Sequence, residues 1–506
     1  MMTTTTTSSG KPQYGGTLII AAEKQEDNLD PLNALTGPFA GTALQGIYEP
    51  LIYNGPQGRF LPGLAASWKA ESDVVWIFTL KQGIRFHDGT PFDADAVKAN
   101  YDRHIANPRS VKQLAFLLDS VNVRDKYTVE FKVKKTAPYA DFLSYMASVS
   151  GHGLIVSPTA VQKYGKDFGR NPVGTGPFKF VEWIDNDHLT MQANEDYWGG
   201  RPYVDKVTVR IIPEPLARIL ALKKGEVHLA DIPPQFVKEA NQTGVTVRSR
   251  GSYKIHMISI NNDAEKGNKA LQDVRVRQAI NYAINRKAIV DAVEMGFAVP
   301  ATGSLTPELN APYYNPKIAG YPPQGDIAKA KQLLKEAGYT DGIDLEIEVA
   351  GVFANGLSIA TIMKQQLAEA NIRLNIKNVD FSIWVEDIFR KKTFQMGLHD
   401  QAGSTPYGLF QTILYSKGRN LSNINDPTLD SLVEQLGTTT DLAKQKELSD
   451  QVTQMEIEKS YQIYLYYVTR IQGWSDKVMN YSVPDPRYWG FVITNKALEV
   501  NAWLKP

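Results

Sequence analysis

Leu345-Glu346-Ile347-Glu348-Val349-Ala350, then Ser358 to Ala370, then Leu374 to Val379: the reading of this stretch decides the fold class. A strand, a helix and a second strand follow one another, and a further helix, Ile327 to Ala337 ended by Gly338, precedes them. Such β-α-β-α alternation argues for an α/β lobe. Upstream of it lie a β run at Met257 to Asn261 and a long amphipathic helix expected over Asp273 to Glu294. Downstream come helices across Asp426 to Ser460 and a β run at Tyr461 to Val468.

The N-terminal half reads differently. Order is expected from Tyr14-Gly15-Gly16, with Thr17 to Ala22 as a buried strand and Ala40 to Tyr48 as a helix. Between Leu51 and about Arg170 the runs Trp76 to Leu80 and Thr128 to Val133 alternate as half-buried strands, and a helix capped near Asp93 separates them. This segment has the character of an inserted subdomain. After Gly174-Thr175-Gly176-Pro177, read as a tight turn between lobes, strands return at Phe178 to Trp183, His188 to Ala193 and Lys206 to Ile212. Pro213 and Pro215 then precede a helix over Leu216 to Lys224. At 506 residues the chain is too long for one hydrophobic core, so two or three packed lobes are expected.

Composition removes several functions. Lys and Arg number 55 against 54 Asp and Glu, well interspersed, so no basic stripe marks a nucleic-acid surface. No apolar run approaches the length of a membrane span, and a soluble chain is expected. Cysteine is absent, which excludes disulfides, thiolate metal sites and Cys nucleophiles. Met1 to Gly10, MMTTTTTSSG, reads as a Thr/Ser tether without the apolar region of a signal peptide. Two origins fit it: a mature exported protein whose leader, with or without a lipid-carrying Cys, was replaced by a start Met, or a frayed or added terminus.

Catalytic motifs are mostly missing. The seven histidines, His87, His104, His152, His188, His228, His256 and His399, show no HExxH or other zinc-pair spacing, and no GxSxG elbow or P-loop occurs. Gly174 to Phe178 lacks the register of a phosphate loop, and Pro177 removes an N–H donor. His87 and Asp88 are adjacent, but neighbours on an extended chain point to opposite faces, and Asp88-Gly89 is turn chemistry. Asp185/Asp187 and Asp341/Asp344 read as solvated loop carboxylates.

Several segments, taken in order, resemble the peptide/nickel/opine-binding family (family 5) of ABC-importer solute receptors. They are Leu61 to Ala65 with Ser67-Trp68, Trp76 to Leu80, Gly83 to Phe92, Gly174 to Phe178, Asn194-Glu195-Asp196-Tyr197-Trp198, and Asp273 to Ala279. The resemblance runs from about Tyr14 to Trp503. It implies an α/β fold of the periplasmic-binding-protein type II clamp, two α/β lobes with an additional inserted subdomain. Residues 1–13 would be a disordered tether, 14–50, 171–256 and 472–506 lobe I, 51–170 the inserted subdomain and 257–471 lobe II.

The resemblance also implies where a ligand would be held. Contacts are expected from Glu23, Lys24 and Gln25 after the first strand, His152, Val352, Phe353 and Asn355, the segment Leu398 to Tyr407 (Leu398, His399, Gln401, Ser404 and Tyr407 in particular), and Asn420. Asn355 and Asn420 have an alternative duty, bonding their own turns. Dipeptide-binding relatives hold the ligand ammonium with an acid in a loop matching Gln401 to Tyr407, which has none, and the carboxylate with an Arg near Gly356-Leu357-Ser358. A buried charge without its opposite costs several kcal/mol, so a free dipeptide is disfavoured. A hydroxyl- or amide-rich ligand is expected instead: sugar-like, opine-like, or a peptide recognised through its backbone. Nickel-chelate capture through His152 or His399 stays open.

The expected function is that of an extracytoplasmic solute-binding protein, periplasmic or tethered to the outer face of the membrane. It would be a monomer without catalytic residues, metal or cofactor, closing on a small polar ligand and presenting it to ABC permease subunits, with no nucleic-acid partner. Two alternatives are a cleft hydrolase and a sensor or chaperone on the same scaffold.

Overall fold

A computed structural model describes residues 11–34, 37–55, 59–107, 117–134, 139–149, 153–353, 355–403, 405–439, 441–485, 487–488 and 490–505. Two compact units divide the chain. Unit 1 is built from the chain up to Arg250 and from Arg470 onward, and unit 2 from Gly251 to Thr469, so the chain passes between them twice.

In unit 1, strand β1 (Thr17–Ala22) alternates until Ile20 and then stays buried. Helix α1 (Pro38–Ile47) carries its proline at the first turn, where no intrahelical donor is lost, and buries every residue from Phe39 to Ile47. Next comes an antiparallel sheet of β2 (Ala65–Ser72), β3 (Val75–Leu80), β4 (Leu118–Asp125) and β5 (Thr128–Val133), in the order β2-β3-β5-β4. Helix α2 (Ala94–Ala106) packs on it, started by Asp93, whose carboxylate accepts from Ala96 N at 3.1 Å. Residues between 51 and 155 build their own apolar cluster here, with the Phe131 ring edge-on to Phe78 at 5.2 Å and to Tyr101 at 5.0 Å.

The other sheet of unit 1 is mixed. Strands β6 (Phe178–Ile184), β7 (His188–Ala193) and β8 (Lys206–Ile211) run antiparallel, and β1 lies parallel to β8 and to β9 (Leu229–Asp231). Helix α3 (Pro215–Lys224) joins β8 to β9 and is terminated by Gly225 in the left-handed region, φ +75°. Leu229, Ala230 and Asp231 pair in turn with Trp474, Gly473 and Gln472.

The turn at Gly174 to Pro177, expected at a junction between lobes, lies inside unit 1. Gly176 N donates to Ile47 O at 2.9 Å, at the end of α1. A Cβ on Gly174 would sit 2.1 Å from Ile47 O, and one on Gly176 2.5 Å from Gly46 O. Close backbone approach, not phosphate binding, explains these glycines.

Unit 2 receives β10 (Val245–Ile260), whose alternate residues serve two cores: Ile258 and Ile260 in one, Ile255 and Met257 in the other. Helices α4 (Val274–Ala283), α5 (Arg286–Val293) and α6 (Ile327–Glu336) follow. Then come β11 (Ile343–Ala350), α7 (Gly356–Glu369), β12 (Ile372–Val379), α8 (Phe381–Val385) and β13 (Met396–Gln401). Strand β11 is parallel to both β12 and β13, and β10 runs antiparallel to β13. Helices α9 (Pro406–Ile413), α10 (Pro427–Thr438) and α11 (Leu442–Lys459) cover the second core before β14 (Gln462–Ser475) leaves the unit.

The single helix expected over Asp273 to Glu294 is broken. Ile284 and Asn285 are extended, with ψ 117° and 90°. Asn285 caps α5, its side chain accepting from Ala288 N at 2.9 Å, and the buried Arg286 donates to Asn281 O at 3.0 Å and Tyr464 O at 2.6 Å. Cap chemistry at one asparagine overrides an unbroken apolar period.

Candidate functional site

Parallel strands followed by helices bring ligands to their carboxyl ends. In unit 2, the ends of β11 and β13 lie at the same edge of the sheet as the first unit-2 residues of β10, because Ile255 pairs with Gln401 and His256 with Asp400. Lys254 and His256 share a face of β10, and both reach Asp400. Lys254 Nζ donates to Asp400 Oδ2 at 2.6 Å, and His256 Nδ1 contacts Asp400 Oδ1. Burial works to raise the Asp400 pKa, but the His256 hydrogen bond and the His256 and Lys254 charges outweigh it and hold it at about 2. Burial opposes the Lys254 ammonium too; the nearby Tyr253 and Asp400 nevertheless leave its pKa raised.

A second carboxylate stands beside this group. Glu294, at the C-cap of α5, is 7% exposed. Its Oε1 accepts from Tyr466 OH at 3.1 Å and from Asn355 Nδ2 at 3.4 Å. Burial raises its pKa, against the Tyr466 hydrogen bond and the His256 charge. The His256 and Tyr466 rings lie 4.8 Å apart.

The loop after β11 closes the same end. Val352 is exposed, and Phe353 packs edge-on against Trp384 at 4.9 Å and Phe381 at 6.1 Å. Asn355 stands at the N-cap of α7 in the left-handed region, φ +59°, but supplies no side-chain cap; its amide also turns to Val293 O at 3.3 Å. The first-turn N–H groups of α7 thus lack a side-chain acceptor from their cap residue, and such a terminus favours anions.

The remaining expected contacts are dispersed. Leu398 is fully buried in the core. His399 is buried, its Nε2 2.9 Å from Ser259 Oγ and its ring 5.9 Å from Trp384; burial lowers its pKa to about 4. Gln401 is half-buried at the end of β13, and Tyr407 packs on the backbone of Gly437. Asn420 bonds its own turn, to Ile424 N at 2.8 Å and Ile424 O at 2.7 Å. In unit 1, Glu23 and Lys24 are exposed after β1, while Gln25 binds Asn186 N at 2.8 Å and Asp185 Oδ1 at 3.2 Å. His152 and Ser404 lie outside the described residues. Among the described residues no group of three His, Asp or Glu is placed to hold a metal ion.

Lys254, His256, Glu294 and Tyr466 lie outside the expected contacts, and Asp400 falls inside the expected segment Leu398 to Tyr407 without being singled out. Asp400 stands one residue before the stretch read as free of acid. The polar-apolar alternation of Lys254, Ile255, His256 and Met257 was the available signal.

Unit 1 holds a polar concavity of about 430 Å³ lined by Arg85, His87, Lys179, Asn194, Asp196 and Trp198, among others. His87 and Asp88 diverge, as expected: the His87 ring spans Gly174 N and Gly176 O, while Asp88 accepts from Ser157 and Thr90. Behind this surface Glu49 is buried and takes hydrogen bonds from Tyr197 OH at 2.7 Å, Trp198 Nε1 at 2.8 Å and Thr175 Oγ1 at 2.9 Å. Burial raises its pKa to about 7 despite those three donors. The motif segments Gly174 to Phe178 and Asn194 to Trp198 thus meet at one carboxylate inside unit 1.

The family model for bacterial extracellular solute-binding proteins, family 5 middle, matches residues 59–423. The chain is 29% identical over 448 residues to the glutathione-binding protein GsiB of Pectobacterium atrosepticum, covering 85% of this chain and 84% of that one. To GsiB of Salmonella paratyphi A it is 31% identical over 374 residues, 72% of this chain and 69% of the other. The crystal structure of the ABC transporter substrate-binding protein CtaP from Listeria monocytogenes superposes with a TM-score of 0.84 at 25% identity, covering 97% of this chain and all of that one. Among the described residues no helix is long and apolar enough to cross a membrane. An α/β chain so matched belongs to the bacterial extracellular solute-binding proteins of family 5, the extracytoplasmic receptors of ABC importers.

Proposed function

We propose that this chain captures a peptide-type polar solute outside the cytoplasmic membrane and passes it, chemically unaltered, to the permease subunits of an ABC importer. The observation that carries this reading is the edge of unit 2. Lys254, His256, Asp400 and Glu294 gather at the carboxyl ends of β11 and β13, beside the N-terminus of α7 that Asn355 leaves without a side-chain cap. Such an edge offers a peptide backbone donors and acceptors, an anion-favouring helix terminus and charged groups of both signs. The relationship to two glutathione-binding proteins supports a small peptide or peptide-like solute.

On this reading Val352, Phe353 and Asn355 contribute the loop side, and His399 and Gln401 the end of β13. Glu23, Lys24 and Gln25, with His152, Ser404, Tyr407, Leu398 and Asn420, complete the proposed set of contacts. The protein acts as a monomer, is periplasmic or tethered to the outer face of the membrane, and binds no nucleic acid. Native mass spectrometry and titration calorimetry test this with glutathione, alanine peptides of two to five residues, an opine and a disaccharide. Saturable binding of glutathione or an alanine peptide, recovered intact, is expected. Binding of the opine or disaccharide alone, or turnover of a bound solute, would refute the reading.

A further inference from the structure

Two carboxylates stand at the solute end of unit 2, and their surroundings differ. Asp400 is already matched, because Lys254 Nζ lies 2.6 Å from one oxygen and His256 Nδ1 contacts the other. Glu294 is buried too and has no such match. Its partners, Tyr466 OH and Asn355 Nδ2, are neutral and both bond Oε1. Among the described residues Oε2 accepts no hydrogen bond, and no Lys, Arg or His lies within ion-pair distance of either oxygen. The charged side chains nearest in effect, His256 and Lys254, both spend their direct contacts on Asp400. A buried carboxylate held in place by neutral donors, with one oxygen to spare, is favoured as the anion by any cation brought to it.

Its position beside the proposed solute site supplies the source. Asn355, which bonds Glu294, belongs to the loop that follows β11 and carries the exposed Val352. We propose that Glu294 receives a cationic group of the captured solute, an ammonium or guanidinium, on Oε2. This rests on the peptide-type reading above and gives it a charge requirement: the solute carries a positive group, and capture completes the neutralisation of Glu294. The acid comes from the end of α5, not from the loop after β13, where the sequence Gln401 to Tyr407 offers none.

The test is calorimetry on the full chain with alanine peptides of two to five residues and glutathione, each with a free and an N-acetylated amino group. It is run on the wild type and on Glu294→Gln, which keeps an acceptor for Tyr466. Free-amino probes are expected to bind the wild type roughly 10- to 100-fold more tightly than their acetylated forms, the range of a charge-assisted hydrogen bond. In E294Q that ratio should fall to near one, with acetylated probes bound as by the wild type. Equal binding of free and acetylated probes by the wild type overturns the inference whether or not the variant folds. An acetylation effect that persists undiminished in E294Q overturns it too, and assigns Glu294 to holding Asn355 and Tyr466. Binding of no probe to the wild type refutes instead the peptide-type reading beneath it.

Discussion

Replacing Glu49 by Gln should stabilise the protein at alkaline pH and leave it unchanged at acid pH. The carboxylate is buried, and its three donors leave its pKa at about 7 against an ordinary 4.5. A folded-state pKa above the unfolded one means that the native protein binds the extra proton. Stability from this group is therefore complete below pH 4.5 and is lost as pH rises through 7. The gap corresponds to about 3 kcal/mol, an order-of-magnitude figure, fully expressed by pH 8.5. Glutamine can keep these three hydrogen bonds. Its carbonyl at the Oε2 position accepts from Trp198 Nε1 and Thr175 Oγ1, and its amide at the Oε1 position donates to a reversed Tyr197 hydroxyl. Thermal unfolding of E49Q and wild type from pH 4.5 to 8.5 is the assay, read as a difference so that titrations common to both cancel. The variant should match the wild type at pH 4.5 and gain ~6 °C at pH 8.5, at roughly 2 °C per kcal/mol. A difference that does not change with pH would refute the argument.

Gly176→Ala should destabilise by about 1–3 kcal/mol or more, since its Cβ would press on two backbone carbonyls that cannot swing away; urea unfolding of the variant checks this, and an unchanged midpoint would contradict it. Asp400→Asn leaves Lys254 without its counter-charge and His256 Nδ1 without its carboxylate partner, so a loss of about 1–3 kcal/mol is expected in urea at pH 7. That loss should shrink only as the wild type is titrated down towards pH 2, where its own carboxylate is neutralised.

Elements whose pattern is local were legible in the sequence. Alternation in β11, the Asp93 cap of α2 and the proline start of α3 all survive folding because each depends on neighbours within a few residues. The break at Ile284-Asn285 was not legible. The apolar period runs through it, and the carbonyls it frees find Arg286 and the backbone N–H of Asp326, which donates to Tyr282 O at 2.6 Å. The charged edge was hidden for a different reason. Lys254 and Asp400 are 146 positions apart, and only the register pairing His256 with Asp400 joins them. A reading confined to Gln401 to Tyr407 could see an acid-free loop and still miss the acid one residue earlier. Glu294 sits at a helix end, where a carboxylate on sequence grounds alone has no assigned neighbour.

The meeting of Thr175, Tyr197 and Trp198 on Glu49 separates two kinds of inheritance. These residues bond one another's segments from inside unit 1, so a change in any of them strikes assembly of the scaffold irrespective of what is carried. Glu294 and Asp400, at the edge of unit 2, stand apart from that meeting point. On the proposal that Glu294 meets the solute, a lineage that exchanged it would alter its diet while its signature stayed intact, which leaves pedigree a dependable guide to architecture and a poor one to cargo.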